Sequence, residues 1–201
     1  MRPNRSIIGM TCVGLSVAVS VSLSVVATSA SAAIINLDIV GKAGVGLLPG
    51  NENHAVNTGG TGGETGAGIT FDDVSKILTL NFGWGSGNGF TDLSVNATAG
   101  HIHGVTPSSA PASFVENAGV TLGLDSLGGW NPNRTNGGFN GTVTLNAAQE
   151  AGLLSGSLYL NIHTSGINPA GEIRGNLVIP EPTTMLAIAS MGALILRRKR
   201  A

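Results

Sequence analysis

The sequence predicts an all-β fold, most simply an antiparallel β-sandwich with an immunoglobulin-like layout and a closed barrel as the alternative, interrupted by one short helix near 147–154. Three observations carry the prediction. Of 201 residues, 31 are glycine and only 10% are charged, against roughly 7% and about 25% in ordinary soluble domains. Short alternating or β-branched runs recur along the chain, each bounded by Gly, Asn, Pro or Ser. The third observation is length: residues 33–180 are enough to bury roughly two thirds of the unfolded surface in one domain.

The runs read as strands are, in order, "IINLDIV" (34–40), "ILTLNFGW" (77–84), "DLSVNAT" (92–98), "HIHGV" (101–105), "VTLGL" (120–124), "GTVTLN" (141–146), "SLYLNIHT" (157–164) and "EIRGNLVI" (172–179). Asp72 and Asp73 read as a turn into the second of these. The helix is placed by "NAAQEAGLL", where Asn146 followed three residues later by Gln149 makes a capping-box pattern. The stretch 41–68 holds ten glycines and no regular repeat. It reads as a flexible connection, and it fits neither common phosphate-binding glycine motif.

The ends read as addresses. Arg2 and Arg5 precede an apolar, small-residue run that exits through Ala30-Ser31-Ala32, the pattern of a secretory signal peptide spanning 1–32 with cleavage after Ala32. Cys12, the only cysteine, lies inside that segment, so the processed chain has neither disulfides nor thiolate chemistry. With both ends set aside, ten acidic residues face Lys42, Lys76, Arg134 and Arg174, a net charge of −6. That balance excludes a nucleic-acid partner.

At the other end, the residues between Pro182 and Arg197 would form a helix of about 21 Å, shorter than the roughly 30 Å hydrocarbon core. Arg197, Arg198, Lys199 and Arg200 follow directly, a basic stop on the cytoplasmic side. The order Pro180-Glu181-Pro182, apolar helix and basic cluster over 180–201 resembles the PEP-CTERM sorting signal of Gram-negative bacteria. The resemblance implies export, transient inner-membrane anchoring, recognition by an exosortase, and delivery to the cell surface or extracellular matrix. Signal peptidase and exosortase are then the processing partners. Exopolysaccharide or matrix proteins are the expected partners at the destination.

Strand periodicity sorts the candidate chemistry. Ile102, Leu158, Leu160, Ile162, Ile173 and Leu177 fall on one set of faces; His101, His103, Asn161, His163, Glu172 and Arg174 fall on the other. If their strands are neighbours, His101, His103 and His163 form a His₃ set suited to Zn²⁺ or Cu²⁺. The competing reading is a polar network of Asn161, Glu172 and Arg174, with Glu172 pairing Arg174 and the imidazoles satisfying neighbours. His54 reads as a solvated loop residue, and Trp84 and Trp130 as packing residues, Trp84 and the Gly-rich stretch being the only candidates for carbohydrate adhesion. No catalytic residue is nominated: there is no G-x-S-x-G elbow and no triad spacing.

The segments "FDDVSKILTLNFGW", "GHIHG" and "LLSGSLYLNIHTSGINPAGEIRGNL" resemble a CHRD domain, a module named from its repeats in chordin. The matching residues are His101, Ile102, His103 and Gly104, then Tyr159, Asn161, His163 and Thr164, then Gly171, Glu172, Ile173, Arg174 and Gly175. The resemblance spans most of 33–179. It implies a β-sandwich domain and transfers no catalytic residues. The start of the domain departs from the family's Gly-x-x-Glu-x-Pro-Pro stretch. The function expected is therefore that of a non-enzymatic exported structural or binding module, with a metal-binding domain or metalloenzyme as the alternative.

Overall fold

A computed structural model describes residues 33–56 and 59–180. The segments expected to form a signal peptide cleaved after Ala32, and a sorting signal from Glu181 through Arg200, lie outside the described residues. Among the described residues no helix is long and apolar enough to cross a membrane.

Among the described residues eleven strands and one α-helix make up the fold: β1 (Ile34–Gly41), β2 (Gly44–Val45), β3 (Gly62–Glu64), β4 (Ile69–Asp72), β5 (Ile77–Trp84), β6 (Ala99–His103), β7 (Val120–Gly123), β8 (Trp130–Asn131), β9 (Gly138–Thr144), α1 (Ala147–Leu154), β10 (Tyr159–Thr164) and β11 (Asn168–Val178). Every pairing between them is antiparallel. The all-β class with one helix is what the composition and alternation dictate.

The layout is a single curled sheet in the order β7-β6-β10-β11-β1-β4-β5-β9-β8, with β2 beside β1 and β3 beside β5. β1 makes the path continuous. Ile34 to Leu37 pair with β4, whereas Asp38 to Val40 pair with β11. One strand therefore serves both halves, where the immunoglobulin-like expectation has two separate sheets.

Alternation fills the inside of the curl. Leu37, Ile39, Leu78, Leu80, Ile102, Leu158, Leu160, Ile162, Ile173 and Leu177 are all buried in one core with Phe71, Phe82 and Trp84. The six residues assigned to the apolar faces by periodicity are all among them. Trp84 is fully buried, donates from Nε1 to the Asn133 carbonyl at 2.8 Å and packs on Trp130 at 5.3 Å. It offers no free face for a sugar ring.

Three expectations are corrected. The run 92–98 forms no strand: Leu93, Ala97 and Thr98 donate singly to the carbonyls of Arg134, Pro132 and His163, so the segment lies across other elements instead of pairing along one. β4 is a strand ending at Asp72, with the turn following it; the Asp72 carboxylate accepts from the Val74 and Ser75 amides. The Gly-rich stretch is no loose connection. It contributes β2 and β3, a 3₁₀ turn at Pro49–Asn51, and bridges from Leu47 to Gly62 and from Leu48 to Arg174. Asn51 anchors it from within, donating to the Gly46 and Arg174 carbonyls and accepting from the Ala43 amide.

α1 starts where its sequence says. Asn146 accepts from the Gln149 amide, and the Gln149 side chain accepts from the Asn146 amide. Gln149 also donates to Thr121, tying α1 to β7. Asn146→Ala is expected to cost about 1 kcal/mol, the usual worth of an N-cap, read as a lower urea midpoint with an unchanged slope.

Candidate metal centre

The histidines are brought together by register. β6 and β10 pair with His103 opposite Tyr159, His101 opposite Asn161 and Ala99 opposite His163. Residues 101 and 103 therefore share a face with 159, 161 and 163, and the diagonal offset sets His101 against His163. The three rings pack at centroid separations of 4.9, 5.5 and 5.8 Å. One nitrogen from each lies within 4.8 Å of the other two.

The outward nitrogens are held in place. His103 Nδ1 lies 2.9 Å from the Ala118 carbonyl, and His163 Nδ1 lies 3.0 Å from the Pro169 carbonyl. A carbonyl only accepts, so both rings carry their proton on Nδ1 and turn an Nε2 lone pair inward. His103 Nε2 is buried and without a hydrogen-bond partner. His101 Nδ1 sits 3.2 Å from His163 Nε2, and its Nε2 lies 3.6 Å from the Asp125 carboxylate. Fixing one ring nitrogen to aim the other is how protein metal sites orient histidine ligands.

Electrostatics favour neutral rings. Burial pushes His103 below its ordinary value of 6.5; the bond to Ala118 opposes this, while His101 and Arg174 add to it. His163 is lowered in the same way, chiefly by burial, against its bond to Pro169. Burial thus favours the unprotonated lone pair on both rings.

The remaining polar residues separate into distinct arrangements. Glu172 and Arg174 do not pair with each other. Glu172 is fully buried and accepts from the Gly60 amide at 2.9 Å, the Ser94 amide at 2.8 Å, the Ser94 hydroxyl at 2.5 Å and the Thr164 hydroxyl at 2.6 Å. Burial raises its pKa, but these four donors outweigh it and hold the carboxyl below 4.5. A register shift between Ile162 and Thr164 breaks the simple alternation at this point.

Arg174 donates to the Asn117 side chain at 2.8 Å and the Glu116 carbonyl at 2.6 Å, with its guanidinium 3.5 Å over the Tyr159 ring. The same Tyr159 ring is stacked on His103, 4.9 Å away and inclined by 10°. Asn161 donates to the Ala170 carbonyl at 3.3 Å. His54, expected in solvent, lies 2.9 Å from the Gly171 carbonyl through Nε2.

Sequence reasoning missed Tyr159, Asp125, Ser94 and Glu52 as neighbours of this face. Only Tyr159 had a signal, its two-residue spacing from Asn161. The other three arrive from segments whose register no local pattern encodes.

Residues 45–177 match the family model described as the CHRD domain. No curated protein matches the chain, and no solved structure does.

Proposed function

The chain belongs to the CHRD domain family, an extracellular type of module, and from that premise we propose that it is an exported, non-enzymatic binding module whose ligand is a transition-metal ion. His101 Nδ1, His103 Nε2 and His163 Nε2 supply the ligands. One observation carries the reading: three imidazole nitrogens converge within 4.8 Å while the opposite nitrogens of His103 and His163 are fixed by backbone carbonyls.

Three neutral nitrogens with no thiolate suit Zn²⁺ or Cu²⁺ better than Ca²⁺ or Mg²⁺, which favour oxygen ligands. Three protein ligands leave a fourth position for water or an external group. Loading requires a tautomer change at His101: its Nδ1 proton, donated to His163 Nε2 before binding, gives way to a proton on Nε2, facing Asp125. That direct His101–His163 hydrogen bond also supports the second reading, a purely structural network.

Metal content decides between the two. The protein, produced without a histidine tag, loaded with Zn²⁺ or Cu²⁺ and dialysed exhaustively, is expected to retain about one ion per chain. The His101→Ala, His103→Ala double variant is expected to retain none. Lowering the pH should release the ion less readily than it would from exposed imidazoles, because burial lowers the proton affinity of His103 and His163. Equal retention by wild type and variant, or none by either, overturns the metal reading.

Delivery belongs to the same proposal. The tail from Pro180 through Arg200 directs exosortase-dependent sorting to the surface or matrix of a Gram-negative cell after transient inner-membrane anchoring. There exopolysaccharide or matrix proteins are the partners. Surface display that survives deletion of 181–201 would remove this part.

A further inference from the structure

Four buried side-chain atoms among the described residues lack a hydrogen-bond partner: Glu52 Oε1, His103 Nε2, Asn161 Oδ1 and Arg174 Nε. The metal reading uses His103. Glu52 and Asn161 are a separate matter, because both of their orphaned atoms are acceptors and both point at the same place. A Cβ on Gly171 would overlap Glu52 Oε1 and Asn161 Oδ1 together. Two carbonyl-type oxygens converging on one dry spot repel each other unless a proton lies between them.

The two residues come from different parts of the fold. Asn161 is on central strand β10, while Glu52 closes the 3₁₀ turn at Pro49–Asn51. Both are only 4% exposed. We propose that Glu52 and Asn161 form a proton-operated latch: the protonated Glu52 carboxyl donates to Asn161 Oδ1 and holds the segment 49–54 against β10 and β11, and loss of that proton weakens the hold.

The surroundings support a proton over a cation. Lys42 donates from Nζ to the Glu52 carbonyl at 2.6 Å, and Arg174 stands close enough to act on the carboxyl. His54 faces it from the same segment, with Nδ1 3.7 Å from Oε2. Burial raises the Glu52 pKa from 4.5 to about 7, against the opposing pull of Arg174 and Lys42. A metal ion here would sit beside two fixed positive charges with only two side-chain oxygens to hold it.

Asn161 registers the state of Glu52. Its amide donates to the Ala170 carbonyl at 3.3 Å, which keeps Oδ1 turned toward Glu52. With Glu52 protonated, Oδ1 accepts; with Glu52 ionised, that bond is lost and Oδ1 faces a carboxylate oxygen, so the hold weakens. The latch requires no metal, and its test uses the metal-free protein.

Carbon NMR of the Glu52 carboxyl and nitrogen NMR of the Asn161 side-chain amide, followed from about pH 4 to about pH 9 on the full chain, test this directly. The two signals are expected to move together with a midpoint near 7. In Glu52→Gln, a neutral donor of nearly the same size, the Asn161 transition should vanish. The folded carboxyl binds its proton more tightly than the unfolded one. Wild-type stability should therefore be greatest below 4.5 from this group and decline as pH rises to about 7, with that component flat in Glu52→Gln. A Glu52 carboxyl titrating near 4.5, or an Asn161 amide that stays still while Glu52 titrates, overturns the latch. If Glu52→Gln does not fold, the wild-type titration alone decides.

Discussion

Glu172→Ala is expected to destabilise the protein by about 3–5 kcal/mol, since four hydrogen bonds to one charged group are lost together. The substitution leaves the Gly60 and Ser94 amides and the Ser94 and Thr164 hydroxyls without an acceptor in a dry site. Each such group costs about 1–3 kcal/mol when left unmade, partly recovered where water enters. Because Glu172 is depressed below 4.5 in the fold, its contribution is present above pH 4.5. It is lost as pH falls through the folded value. Urea unfolding at neutral and acid pH should show the variant losing both stability at neutral pH and part of the acid-side slope. A loss under about 1 kcal/mol would mean that these donors find other acceptors.

Gly171→Ala is the second large effect, expected at about 2–6 kcal/mol. Gly171 has φ +133°, a backbone conformation that costs a side-chain-bearing residue about 1–3 kcal/mol. The new methyl would also collide with the Asn161 amide and Glu52 Oε1, and forced overpacking adds about 1–3 kcal/mol. The damage should stay local. Hydrogen exchange is expected to rise in 49–54, where Glu52 is displaced, while α1, about whose cap nothing changes, keeps its protection. Uniform loss of protection would show that the segment and the sheet unfold as one unit.

These two sites mark the boundary of what could be read from sequence. β5, β10 and α1 were legible because their signals are local: "ILTLNFGW" and "LYLNIHT" alternate, and Asn146 with Gln149 spells a cap. The shared face of His101, His103 and His163 was also legible as a possibility, since period two fixes each strand internally. That β6 lies beside β10 in the offset that joins His101 to His163 is a tertiary fact. The segment 92–98 alternates like a strand yet is spent delivering Ser94 to Glu172 and Leu93 to the core. Glycine density in 41–68 suggested looseness, but several of those glycines are there for close approach. Gly62 lies against the Gly83 carbonyl and Leu47, and Gly60 against the Thr91 carbonyl and the Leu93 amide. The pairing of Glu172 with Arg174 failed because sequence proximity said nothing about the better donors waiting in Ser94, Thr164 and Gly60.

The position of β11 has a kinetic consequence. The last strand among the described residues is central, lying between β10 and β1, and it joins Val178 to Asp38 across most of the domain. Such pairings are of long range, and the loop-closure entropy must be met before they form. The sheet therefore cannot close before β11 has been made. A product ending before β11 would leave the inner edges of β1 and β10 exposed together.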